Sequence, residues 1–110
     1  MAKLEQTLFS DFDSLLSKIV NGVLDASFSA TLEDSSDYAS GECRCSVRVF
    51  ERYSYFGGNR VSMNVTLFQV KKGVVYLSAI TSGGSQAVLF KLNTVGEETF
   101  LETLADILKS

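Results

Sequence analysis

Apolar residues recur along this chain at two different spacings. Phe12, Leu15, Leu16, Ile19, Val20, Val23 and Leu24 fall at i, i+3, i+4, i+7, i+8, i+11 and i+12, which lays one stripe down a helix. Ser10, with Asp13 three residues on, reads as an N-cap with an acidic capping-box partner, so a helix is predicted over 11–25. Gly22 falls off the stripe, where its cost is mainly one of helix propensity. A second stripe, Phe100, Leu101, Leu104, Ile107 and Leu108, follows the capping-box pair Thr94 and Glu97. It predicts a helix over 95–109.

Between the helices the period drops to two. Cys43, Cys45, Val47 and Val49 alternate with Arg44, Ser46 and Arg48, and Val61, Met63, Val65 and Leu67 alternate with Arg60, Ser62, Asn64 and Thr66. Such alternation is that of half-buried strands. Residues 3–9, 27–33, 74–81 and 87–92 read as further strands, and the Asp- and Ser-rich run 34–41 as a turn. The fold class expected is α+β: a single, mainly antiparallel sheet of five to six strands, with an N-terminal and a C-terminal helix packed on one face, in the order β-α-β(4–5)-α. Proline is absent and no repeat or linker interrupts the chain, so 1–110 is expected to form one domain.

Opposed residues of an antiparallel pair share a face, so polarity can set the register. If Phe56-Gly57-Gly58 and Lys71-Lys72-Gly73 are three-residue hairpin loops, Val49 lies opposite Val65, Val47 opposite Leu67, Leu67 opposite Leu77, and Val65 opposite Ala79. The alternating apolar residues then meet the helices together. The other face carries the rows Phe50–Asn64–Ile80, Ser46–Phe68–Tyr76 and Arg44–Val70–Val74. Two helices cannot cover both faces of one sheet. The apolar residues left over, Phe50, Phe68, Val70, Val74, Tyr76 and Ile80, are therefore expected to form a homodimer interface, unless 87–92 or the 34–41 loop folds over them.

Composition narrows the class of protein. The chain is 45% hydrophobic and 21% charged, as globular domains are, and no apolar run approaches the ~20 residues of a membrane span. The first residues carry acids and no apolar signal core, and there are only two cysteines, so the cytoplasm is the expected compartment. The net charge of −3 is unevenly spread: residues 1–42 sum to −6 and residues 43–72 to +5, with every arginine between 44 and 60. The simplest reading is a basic hairpin lying beside acidic segments. A nucleic-acid surface is disfavoured by the overall acidity.

Chemistry-bearing motifs are scarce. The chain has no histidine, which removes Ser–His and Cys–His catalysis and histidine metal ligation. Cys43 and Cys45, two apart on a strand, are expected on the core face as small buried hydrophobes, too far apart for an easy disulfide. Glu51 would fall on the apolar face opposite Met63, the one acid–base candidate unless a bulge or the end of the helices leaves it outside. The loops 55–60 and 81–86, both glycine-bearing, would share one end of the sheet as an anion nest beside Arg52 and Arg60. Tyr53, Tyr55 and Phe56 among the arginines give only weak support for a single-stranded nucleic-acid platform. The ligand-site candidates are Glu51, Arg52, Tyr53, Tyr55, Arg60, Ser82 and Ser85. No catalytic residue, metal or cofactor is assigned.

The strings LEDSSD (32–37), ERYSYFGGNRVS (51–62), AITSGGSQA (79–87) and GEETFL (96–101) resemble those of a family of small bacterial proteins known only as a domain of unknown function. The resemblance spans the whole chain. It implies a bacterial intracellular protein and brings no activity with it. The element order is also similar to the TATA-box-binding-protein-like and helix-grip folds, which serve nucleic acids and apolar ligands respectively, so fold analogy does not choose between them. The reading is of a non-enzymatic binding or interaction module that dimerises through its open sheet face. The alternative is a small-ligand pocket between helix 11–25 and the sheet, with Glu51, Arg52, Tyr53 and Arg60 at its mouth.

Overall fold

The computed structural model describes residues 1–54, 59–83 and 90–110, with only the backbone described over 90–94. Its elements are β1 (Ala2–Leu8), α1 (Phe12–Asp25), β2 (Thr31–Ser40), β3 (Cys43–Tyr53), β4 (Arg60–Gln69), β5 (Val75–Gly83) and α2 (Phe90–Lys109). The strands form one antiparallel sheet in the order β1-β5-β4-β3-β2. This is the α+β class and the β-α-β4-α order expected from the sequence.

The apolar stripe of α1 becomes core. Phe12, Leu15, Ile19 and Val23 are buried with Phe100 and Leu104 of α2 and with Val61, Met63, Val65, Leu67, Val75, Leu77 and Ala79 of the sheet. The cap of α1 is Asp11 rather than Ser10. Its Oδ2 accepts from the Ser14 N–H at 3.0 Å and the Ser14 hydroxyl at 2.9 Å, while the Ser10 N–H is engaged by the Gly73 carbonyl at 3.2 Å. Gly22 is a packing position. A Cβ there would lie 2.9 Å from the Ile107 side chain of α2, so the glycine lets the two helices approach.

Two strand assignments change. The second strand occupies 31–40 rather than 27–33, so the run expected as a turn is β2, exposed along its whole length. A sheet edge suits polar, acidic residues, and a bulge between Leu32 and Asp34 interrupts its pairing with β3. The turn after it is only two residues long, Gly41-Glu42. Gly41 has φ +61°, the left-handed region that a glycine at the first position of a tight hairpin loop supplies. The strand expected over 87–92 lies partly outside the described residues, but 90–92 are helical. Thr94 and Glu97 therefore sit inside α2 rather than at its start.

The largest correction concerns register. The β4–β5 ladder pairs Val65 with Ala79 and Leu67 with Leu77, as polarity predicted. The β3–β4 ladder is shifted by one residue: Phe50 pairs with Met63, Arg48 with Val65 and Ser46 with Leu67. The Ser54 N–H donates to the Asn59 carbonyl at 2.7 Å, so four residues separate the strand ends instead of three. A one-residue slip turns every side chain of a strand over. Phe50, expected outside, is fully buried in the core, and Cys45, Val47, Val49 and Glu51 are on the open face.

The physical reason lies in what the helices can cover. α2 packs on β5, β4 and β1, and only the margin of the helical layer reaches β3. Phe50 is the one phenylalanine of β3, and burying it outweighs keeping the smaller Val47 and Val49 inside. The arginines beside it are accommodated by their stems. The Arg44 guanidinium stacks 4.3 Å over Phe12 and ion-pairs with Asp13 at 2.8 Å. Arg52 stacks 4.3 Å over Phe100 and donates to Thr103 Oγ1 at 3.2 Å.

Candidate functional site

The sheet face opposite the helices carries no other element among the described residues. Its side chains form cross-strand rows fixed by the ladders: Lys3–Ile80–Asn64–Val49–Asp34, then Glu5–Ser78–Thr66–Val47–Ser36, then Thr7–Tyr76–Phe68–Cys45–Tyr38. The third row is an unbroken apolar band over four strands. Tyr38 is 69% exposed, Phe68 45% and Tyr76 47%, and the Phe68 and Tyr76 rings lie 6.4 Å apart at 31°. Val70, 52% exposed, extends the band at one end, whereas Ile80, 41% exposed, lies two rows away beyond Ser78 and Thr66. Contiguous exposed apolar area of this kind marks an interaction surface more often than isolated residues do.

The slip of β3 makes this face more apolar than the sequence suggested. Of the six residues expected at an interface, Phe68, Val70, Tyr76 and Ile80 are exposed and Val74 is partly exposed, whereas Phe50 has gone to the core. In exchange the face gains Cys45, Val47 and Val49 from β3 and Tyr38 from β2. Tyr38 could have been found by extending the alternation of the cysteine strand back across a two-residue turn, where it falls opposite Cys45. The Asp/Ser composition around it masked that signal. Cys43 and Cys45, expected inside, are an exposed and a partly exposed thiol; the Cys43 thiol donates to the Val70 carbonyl at 3.4 Å.

The ligand-site candidates are divided between the two faces. Glu51, Arg60, Ser62 and Ser82 surround an open depression of about 480 Å³ at one end of the open face. Arg60 Nε donates to Glu51 Oε1 at 2.7 Å, its guanidinium lies 5.0 Å from the centre of the Tyr53 ring, and its Nη2 approaches Glu33 at 3.8 Å. The bond to Glu51, and then that to Tyr53, raises the Arg60 pKa above its ordinary value. Glu51 is thus an ion-pair partner opposite Ser62, not an isolated acid facing Met63. Arg52 is on the helix side and takes no part. Tyr55 and Ser85, with most of both glycine loops, lie outside the described residues.

The arginine-rich stretch does lie against the acidic one. Arg44 pairs with Asp13, Arg48 with Asp37 at 3.0 Å, and Arg60 with Glu51 and Glu33. On the helix side of the β2–β3 hairpin, Asp37 Oδ1 also accepts from the buried Ser46 hydroxyl at 2.5 Å. That bond and then Arg48 hold the Asp37 carboxyl below its usual value. No group of three or more Cys, Asp or Glu that could hold a metal ion occurs among the described residues. No helix among them is long and apolar enough to cross a membrane.

Ile19 and Val23 of α1, Met63 and Leu77 of the sheet and Phe100 of α2 are all buried in one core cluster. Fold and surface together define a two-layer α+β protein with one sheet face covered by helices and the other bare among the described residues. The model of a family described as "Family of unknown function (DUF6054)" matches residues 1–110, and the chain belongs to that family. No curated protein and no solved structure matches it significantly.

Proposed function

We propose that this protein is a non-enzymatic interaction module whose open sheet face is the contact surface, and that the surface joins two copies of the chain. The observation that carries the reading is the band Tyr38–Cys45–Phe68–Tyr76, which is continuous over four adjacent strands, with Val47 and Val70 beside it and Val49 and Ile80 two rows away. Two such sheets packed face to face would enclose these residues in a second core about 10 Å thick, as in β-sandwiches. The pocket alternative has less support, because packed side chains occupy the space it needs. Two free thiols on or beside the contact face suit a reducing compartment such as a bacterial cytoplasm.

Light scattering at micromolar concentration should give twice the 12.0 kDa chain mass. Tyr76→Glu should reduce it to the chain mass with an unchanged circular dichroism spectrum, since the side chain is half exposed in the single chain and its replacement leaves the helix-side core intact. A wild-type protein that stays monomeric at high concentration would refute the reading.

A further inference from the structure

We propose that the outer edge of β1, with the apolar groove between β1 and α2, takes an extended peptide from a partner as a sixth strand. The peptide carries one apolar residue between basic ones. This contact is separate from the open sheet face and does not depend on it.

Among the described residues β1 and β2 are the two edges of the sheet. An edge strand turns alternate N–H and C=O groups outward, which invites further pairing unless something blunts it. β2 is blunted. A bulge between Leu32 and Asp34 interrupts its ladder, Glu33, Asp34 and Asp37 load it with charge, and it is exposed throughout. β1 has neither bulge nor proline, and its seven residues pair with β5 without a register shift. Its two charges, Lys3 and Glu5, neutralise each other at 3.2 Å on the open face.

The helix side of this edge is already shaped for a side chain. Ala2, Leu4, Gln6 and Leu8 turn towards the helices and are only partly buried. α2 runs alongside them. The Glu97 carboxylate meets the Met1 amino group at 2.9 Å at one end, and Leu8 and Leu108 border a common depression at the other. Between these ends Leu4, Leu101 and Ala105 line an apolar groove of about 280 Å³, bordered by Glu98 and Glu102. A strand laid beside β1 directs every second side chain to this side, so an apolar residue opposite Leu4 enters the groove.

The rim decides which peptide fits. Glu98 and Glu102 are exposed and have no ion-pair partner among the described residues. The nearest cation along α2, Lys109, lies one turn beyond Ala105, at the helix end. Peptide residues two places before and after the apolar one also face the helices, about 6.6 Å along the strand. From there lysine or arginine stems reach the two carboxylates. A second copy fits this edge poorly, since β1 paired with β1 would set two acidic α2 rims against each other.

The probe is a nine-residue peptide with a central leucine, arginines two places to either side, and threonine or serine elsewhere. Fluorescence anisotropy of the labelled peptide should show saturable binding to the full chain; no binding up to about 1 mM would overturn the proposal. Glutamate in place of both arginines should weaken binding at least about tenfold. Glu98→Lys/Glu102→Lys should reverse that preference with an unchanged circular dichroism spectrum, and an unreversed preference would overturn the assignment of a basic partner. N-methylation of alternate peptide amides should abolish binding in one set and leave it within about threefold in the other. Indifference to both sets would exclude strand pairing and overturn the proposal too. Tyr76→Glu, on the other face, should leave the peptide's affinity unchanged. A monomeric wild-type chain that still binds the peptide refutes the dimer alone. A dimer that the peptide dissociates would put β1 at the contact between copies and overturn this site.

Discussion

Phe50 and its neighbours show how one side chain sets the orientation of a strand. β3 offers Cys45, Val47 and Val49 on one side and Phe50 with three arginines on the other, so neither side is cleanly apolar. The ring wins because a phenylalanine buries far more area than a valine. Phe50→Ala should therefore cost about 3–5 kcal/mol, while Val47→Ala should cost less than about 1 kcal/mol, both read from urea denaturation. Equal losses would contradict the register. Asp37 bears on acid stability. Its folded pKa is depressed, so its contribution is present above the ordinary value of 3.8 and is lost as pH falls through the lower folded value. Asp37→Asn should flatten the stability curve in that acid range, with little slope left to remove above pH 5. An unaltered acid limb would show that the carboxylate is not coupled to folding.

At the scale of elements, the helices were legible because stripes of seven and of five apolar positions have no other use than burial. The edge strand was not, because its fold-determining contacts are backbone bonds to β3 and its Asp and Ser side chains equally suit a turn. Gly22 illustrates the same limit: propensity alone favours alanine there, but α2 crosses at that point. Gly22→Ala should gain less than the ~1 kcal/mol that helix propensity promises, or lose stability. In an Ile107→Ala background, which clears the contact, the same substitution should stabilise by about 0.5–1 kcal/mol. A gain identical in both backgrounds, measured by thermal melting, would mean the helices do not meet as described.

At the scale of the molecule, two helices serve one sheet, and the uncovered face is the consequence from which the proposed function follows. Its apolar band should make assembly depend weakly on salt, since Tyr38, Cys45, Phe68 and Tyr76 carry no charge at neutral pH. Sedimentation at low and high ionic strength should show a dissociation constant changing by no more than about tenfold; a much steeper dependence would point to the charged end around Arg60 instead. The sequence by itself determined the class, the order of elements, both helix stripes and the β4–β5 register, because each follows from local period and from polarity that agrees on both strands. Only the tertiary structure decided which way β3 faces. Loops of three and four residues between β3 and β4 are equally compatible with the local sequence. The choice depends on Phe50 entering the core and on the Arg44 and Arg52 guanidinium groups covering Phe12 and Phe100, contacts between residues far apart in the chain. That choice moved Cys45, Val47 and Val49 to the open face and completed the surface on which the proposed assembly rests.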